Sequence, residues 1–189
     1  LYQPYSRLVI DCNRPPGNPT SIAPVSDGTP VPANADLPAA DRAMREAEIF
    51  WPYQNAVAAQ IVKMRERGGL PILIAMHSFT PKHGDYPAPR PWHVGVLFNR
   101  DERLARPLIR ILEAEGDLTV GINQPYAVDD EGDYAIPVHG EKGGLLHVEF
   151  EIRQDLIGDE RGQADWAKRL ARVLPQALRL AEAATVGTA

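Results

Sequence analysis

The chain has 189 residues, and 20 lysines and arginines against 25 aspartates and glutamates give it a net charge of −5. Its length suits one domain, and its proportions of hydrophobic residues (44%) and charged residues (24%) are those of a globular protein rather than a disordered one. The acidic balance argues against general nucleic-acid binding, the one cysteine excludes an internal disulfide, and no apolar run is long enough to span a bilayer. We therefore expect a cytoplasmic protein.

Strands and helices are predicted to alternate along the chain. Long polar loops are expected at residues 12–38 and 123–144. This order is typical of an α/β fold with a largely parallel sheet, in which the ligand crevice lies beyond the carboxyl ends of strands. The predicted strands are residues 6–11, 71–77, 93–98, 118–122 and 146–152, and the predicted helices are residues 38–67 with a break or kink at Pro52, residues 101–115, and a last helix from Asp159 or Asp165 to about residue 184.

Polar residues follow the first predicted strand. Arg14 can present a planar fork to a carboxylate, and Asn13 adds an amide donor. Alternatively, Asp11 and Arg14 form a local ion pair that shapes the turn. The spacing alone does not choose between these interpretations.

The most apolar predicted strand ends in His77 and Ser78. An imidazole at the rim of a sheet can bind a metal or carry a proton, although a lone histidine is more often bonded within the core. Ser78 is a weak candidate for a nucleophile, because the Gly-x-Ser-x-Gly elbow is absent. Three other histidines give weaker signals: His93 is expected to cap or pack, His83 to be solvated, and His139 to line a site from the second long loop.

The last predicted strand alternates polar and apolar residues, so that Glu149, Glu151 and Arg153 share one face. On an exposed edge strand these charges would form a solvated face. On a strand that ends at a crevice, one carboxylate would be a general base beside a metal. The pattern alone does not choose between Glu149 and Glu151.

Four segments of the chain stand out together: YSRLVIDCNRP at residues 5–15, AMHSFTP at 75–81, RPWHVGVL at 90–97 and EFEIRQDL at 149–156. In combination they resemble the N-formylglutamate amidohydrolase family, and the similarity extends in the same order over essentially all 189 residues. The resemblance implies the fold of zinc carboxypeptidases and aspartoacylases, a phosphorylase/hydrolase-like three-layer α/β/α fold with a mixed, mostly parallel sheet. It also implies a zinc-dependent enzyme that removes an N-acyl group, typically formyl, from an acidic amino acid such as glutamate, as in histidine catabolism.

The resemblance also implies roles for individual residues. His77 corresponds to a zinc ligand, Glu151 to the carboxylate that activates the water, and Asn13 with Arg14 to a pair that holds a substrate carboxylate. The residues that correspond to other positions lining the site are Arg7, Asp11 and Arg153. We predict that Arg14, His77 and Glu151 converge on one pocket that binds a small N-acyl amino acid. We expect the protein to bind neither nucleic acid nor membranes.

The chain departs from the family at its start. In the family, a preceding segment with a D-H-A-S-N-like turn supplies the first metal histidine and an acidic residue. We expect residues 1–189 to be a single amidohydrolase-like domain that lacks this segment, which would supply the remaining zinc ligands. Because catalytic zinc sites generally have three protein ligands, the alternative is a non-catalytic carboxylate-binding module with an incomplete metal site.

Overall fold

The computed structural model describes residues 1–84 and 88–186, and it divides into two units. Unit 1 comprises Leu1–Pro71 and Asp129–Leu145. Unit 2 comprises Ile72–Val128 and the residues from Leu146 onward. No helix within the described ranges is both long and apolar enough to cross a membrane.

Unit 1 is mainly helical. The predicted helix at residues 38–67 consists of two α-helices joined by a π-helical turn, and Pro52 is the second residue of the later helix, directly after that turn. The second helix ends before Gly68, whose φ of 78° is typical of a helix C-terminus. The elements are β1 (Val25–Ser26), β2 (Thr29–Pro30), a 3-10 turn (Pro32–Asn34), α1 (Ala39–Arg45), the π-helical turn (Glu46–Phe50), α2 (Trp51–Glu66) and a second π-helical segment (Ala135–Glu141).

The predicted first strand at residues 6–11 is wrong. Residues 7–9 form a turn, closed by a hydrogen bond from Val9 N–H to Ser6 O, and Asp11 N–H bonds to Ser21 O. The apolar side chain of Ile10 is buried in the core of unit 1 with Ile22 and Phe50, and it does not belong to a sheet. A short apolar run indicates burial but does not supply the neighbouring strand that β-structure needs.

The second predicted loop, residues 123–144, is only partly irregular. Residues 135–141 form the π-helical segment of unit 1, which the sequence prediction missed. The pattern Ala-Ile-Pro-Val-His-Gly-Glu contains both proline and glycine, and such residues usually indicate a loop.

Unit 2 contains a four-stranded mixed sheet in the order β3-β6-β4-β5. β3 is parallel to β6 and β4 is parallel to β5, whereas β4 and β6 are antiparallel, which confirms the predicted mixed and mostly parallel α/β sheet. The elements are β3 (Ile72–Phe79), β4 (Val94–Leu97), α3 (Ala105–Ala114), β5 (Val120–Ile122), β6 (Leu146–Arg153), a 3-10 turn (Gln154–Leu156) and α4 (Glu160–Val186).

One face of this sheet packs against helices α3 and α4. On β6, Val148, Phe150 and Ile152 point to this face and are buried, together with Leu108 of α3 and Val173 of α4. Burial of this apolar area is the main source of stability for unit 2. The intervening β6 residues project from the opposite face, because side chains alternate along a strand.

The positions of β3 and β6 in the sheet are the reverse of what their composition favours. The continuous apolar run of β3 forms an edge strand with partly exposed residues, whereas β6, with alternating charges, is central and buried over most of its length. Glu149 and Glu151 therefore do not form a solvated edge face.

Candidate metal centre

Three side chains of unit 2 form a cluster of possible metal ligands. His77, Glu149 and Glu151 each offer one ligand atom, and these three atoms lie within 4.8 Å of one another. His77 Nε2 is 3.7 Å from Glu149 Oε2. Both glutamates are buried, whereas the His77 side chain is 30% exposed and so connects the cluster to solvent.

The register between β3 and β6 brings these residues together. His77 pairs with Glu151 in the parallel ladder, and Glu149 pairs with Ala75, two residues earlier on β3. Paired residues in a ladder project from the same face, and residues two apart on one strand do so as well. His77, Glu149 and Glu151 must therefore share a face, which is the one opposite the core of unit 2.

The composition of the cluster suits a divalent cation. Two carboxylates this close repel each other, and burial strengthens the repulsion, so a cation beside them lowers the free energy of the folded state. Zinc binds nitrogen and oxygen ligands at about 2.1 Å, and a tetrahedral angle then separates two ligand atoms by about 3.4 Å. The 3.7 Å between His77 Nε2 and Glu149 Oε2 is close to this spacing.

The structure argues against Ser78 as a nucleophile activated by His77. Ser78 follows His77 on β3, so the two side chains project from opposite faces of the strand.

Arg153, at the end of β6, donates hydrogen bonds to both carboxylate oxygens of Asp155 and to the carbonyl oxygen of Trp92. In this arrangement, the Arg153 side chain links the end of β6 to Trp92 and to the turn that contains Asp155.

The predicted site residues between positions 7 and 14 form a network within unit 1. Asp11 Oδ2 accepts a hydrogen bond of 2.5 Å from Arg7, and its Oδ1 accepts one of 2.9 Å from the Asn13 backbone N–H. The Arg14 Nε is 4.0 Å from Asp11 Oδ2, at the limit of an ion pair. Asp11 therefore does shape this turn, as the local interpretation predicted, but its main partner is Arg7.

Asp133 is the principal partner of Arg14 and of Asn13. Arg14 Nη1 is 2.8 Å from Asp133 Oδ1 and also donates to the Gly132 carbonyl oxygen, while Asn13 Nδ2 lies 3.0 Å from the same Asp133 oxygen. The Asn13 side-chain oxygen accepts the backbone N–H groups of residues 134 and 135. Burial raises the pKa of the Asp133 carboxyl, although its contacts with Arg14 oppose the change.

The sequence prediction missed Asp133 and left Glu149 undecided. Asp133 lies about 120 residues from Arg14 along the chain, and nothing in the local pattern of its loop marks it. Glu149 did have a signal, because the alternation on β6 places it on the same face as Glu151.

Two other histidines have structural contacts. His139 donates from Nε2 to Gln54 Oε1 at 2.8 Å, and Gln54 in turn donates to the Cys12 carbonyl oxygen at 2.6 Å. His93 Nδ1 accepts the Thr119 backbone N–H at 2.8 Å, which confirms that it caps or packs. The bonds of His139 and Gln54 join segments within unit 1, and the bond of His93 joins two segments within unit 2.

Comparison with known proteins agrees with the motif analysis. The family model for N-formylglutamate amidohydrolase matches residues 1–158. No curated protein matches the chain.

Solved structures that are similar to this chain include the following two. The gene product Atu2144 from Agrobacterium tumefaciens is 35% identical with a TM-score of 0.88, over 94% of this chain and 69% of that one. The N-formylglutamate amidohydrolase from Ralstonia eutropha JMP134 is 21% identical with a TM-score of 0.59, over 96% of this chain and 74% of that one, and at this identity the likeness shows the fold alone.

Proposed function

Because the chain belongs to the N-formylglutamate amidohydrolase family, we propose that it is a zinc-dependent amidohydrolase that removes an N-acyl group, formyl in the first instance, from an acidic amino acid such as glutamate. The observation that carries this proposal is the cluster of His77, Glu149 and Glu151, with its three ligand atoms within 4.8 Å. An imidazole beside two buried carboxylates combines a metal ligand with a general base.

His77 and Glu149 are the residues that would hold the ion, since their facing atoms have nearly the spacing of two zinc ligands. When bound, zinc makes a water molecule more acidic and polarises the carbonyl of the amide. A catalytic zinc site generally has three protein ligands, so a further ligand is expected beyond these two residues.

Glu151 is the proposed general base. It is the register partner of His77 and lies nearer the carboxyl end of β6 than Glu149 does. Its carboxylate accepts a proton from the attacking water as the new C–O bond forms, and it gives that proton to the amine nitrogen as the C–N bond breaks. The products are formate and the free amino acid when the acyl group is formyl.

Arg14 is proposed to bind a substrate carboxylate, which is the role that the resemblance implies for it. Only its Nη1 atom donates in the network with Gly132 and Asp133, and the side chain is 27% exposed. Asn13, Asp11 and Arg7 are proposed to hold Arg14 and its loop in position, because their polar atoms are engaged with one another and with the loop of Asp133.

The decisive experiment measures metal content and turnover on the same preparations. We expect about one zinc per chain in the purified protein and release of formate from N-formyl-L-glutamate, with both lost in His77→Ala. A protein that holds no zinc and binds N-formyl-L-glutamate without turnover would instead be the non-catalytic carboxylate-binding module. Absence of both zinc and binding would exclude either function.

A further inference from the structure

Arg90 is a buried arginine whose contacts within the described part of the chain are made by neutral groups. The residue is 7% exposed. Its Nη1 atom donates to the Thr80 carbonyl oxygen at 3.3 Å, to Thr80 Oγ1 at 3.4 Å and to the Tyr126 hydroxyl oxygen at 3.0 Å. The guanidinium carbon lies 5.1 Å from the centroid of the Tyr126 ring and 5.9 Å from that of Phe79.

Within the described ranges, Arg90 differs from other arginines that stack on an aromatic ring. Arg106 lies over Phe98 and is also paired with Glu102, and Arg169 lies over Trp166 and is paired with Glu115 and Asp117. No carboxylate among the residues that the structure describes forms an ion pair with Arg90. A buried positive charge whose described neighbours are all neutral is costly unless an anion pairs with it, so the site favours an incoming anion.

Arg90 lies on the same face of the sheet as the His77–Glu149–Glu151 cluster. Phe79, which contacts its guanidinium, is two residues beyond His77 on β3 and therefore projects from the same face. Two residues of strand span about 6.6 Å. The guanidinium is thus near the carboxyl end of β3, where the cluster also lies.

The segment that carries Tyr126 passes over the neighbouring strand beside Glu151. Gly95 pairs with Glu151 across β4 and β6, and a Cβ atom at Gly95 would lie 3.3 Å from the Glu151 Cβ and would clash with the Gln124 carbonyl oxygen. The backbone at Gln124 therefore occupies the space above Gly95, and Tyr126 follows two residues later. Arg90 is thus placed near the cluster by its contact with Phe79 on β3, and Tyr126 by the passage of its segment over Gly95 on β4.

We infer that Arg90 and Tyr126 form a carboxylate-binding subsite beside the cluster, and that this subsite selects substrates whose amino acid is acidic. The inference rests on the proposed function. Arg90 Nη1 donates to the Tyr126 oxygen, so the hydroxyl proton of Tyr126 is free to point to a ligand. Tyr126 is 42% exposed and so reaches solvent, while Arg90 supplies the positive charge from the protein interior.

The test compares an acidic substrate with its neutral isostere. In the zinc-loaded protein, kcat/KM is measured for N-formyl-L-glutamate and for N-formyl-L-glutamine, in wild type and in Arg90→Gln. We expect the wild type to prefer the glutamate compound, and the variant to lose at least about tenfold of that preference, the usual effect of removing a charge-assisted hydrogen bond. An equal loss on both substrates would overturn the inference, because it would show that Arg90 acts only on structure.

Further variants and a binding measurement separate this inference from the proposed function. Arg106→Gln is the matched control, since Arg106 also stacks on a ring but has its own carboxylate, and we expect no change in preference. If Arg90→Gln does not fold, Tyr126→Phe decides: a loss of preference of about threefold supports the subsite and an unchanged preference overturns it.

If the wild type hydrolyses neither substrate, the proposed function fails, and calorimetric binding of L-glutamate and L-glutamine still tests the subsite. Tighter binding of glutamate that is lost in Arg90→Gln supports it. Equal binding of the two amino acids by the wild type overturns it.

Discussion

His77 on β3 and Glu151 on β6 are partners in a parallel ladder, and Glu149, two residues before Glu151, lies 3.7 Å from the His77 ring. The register of one pair of strands therefore decides how His77 lies relative to two carboxylates that follow it by more than 70 residues in the sequence. Because the backbone fixes these positions, each of the two glutamates can be changed separately and its role measured.

Glu151→Gln is expected to abolish turnover while the protein keeps its zinc. Glutamine is nearly isosteric but cannot accept the proton of the attacking water, and removal of a general base lowers kcat by about a hundredfold or more. The measurement is kcat for N-formyl-L-glutamate together with zinc content, with Glu113→Gln on the exposed face of α3 as the control. Undiminished hydrolysis would remove Glu151 from the mechanism.

Glu149→Gln is expected to weaken zinc binding. An amide oxygen is a poorer ligand than a carboxylate, and changes at or next to a metal ligand usually lower affinity by about tenfold or more. The measurement is the zinc dissociation constant, obtained by competition with a chelator, and activity should return at high zinc concentration. A variant that keeps wild-type zinc affinity would show that Glu149 is not a ligand.

Arg14→Ala is expected to raise KM for N-formyl-L-glutamate by about tenfold, with a smaller loss of kcat through poorer positioning. Arg14→Lys keeps the charge but not the planar fork, so its KM should lie between those of wild type and Arg14→Ala. Asp133 would keep Asn13 as a hydrogen-bond partner in both variants. If KM is unchanged in both variants, Arg14 serves only to hold the loop of Asp133.

His139 is expected to make the protein less stable at acidic pH. Burial holds the pKa of His139 below its ordinary value of 6.5, so the unfolded chain binds more protons than the folded protein near that pH. The stability that this neutral histidine contributes is present above pH 6.5 and decreases as the pH falls below it.

The measurement for His139 is the free energy of unfolding in urea at pH 7.5 and at pH 5.5. In His139→Gln, whose amide can still donate to Gln54, the loss of stability between these two pH values should be smaller than in the wild type. An equal loss in the two proteins would show that other groups account for the pH dependence.

Local sequence patterns determined the alternation of strands and helices in unit 2 and the face that Glu149 and Glu151 share, because side-chain direction in a strand depends only on the spacing of residues along it. The motifs around Arg14, His77 and Glu151 were likewise sufficient to indicate the family. The same patterns predicted a strand at residues 6–11 that does not form, since an apolar run reports burial and does not specify a partner strand.

Only the tertiary structure decided which residues meet. The central position of β6, the approach of His77 to Glu149, the pairing of Arg14 with Asp133 and the burial of Arg90 against Phe79 and Tyr126 all join residues distant in the sequence. Such contacts depend on strand order and loop paths, which follow from packing of the whole chain and leave no periodic trace in any one segment.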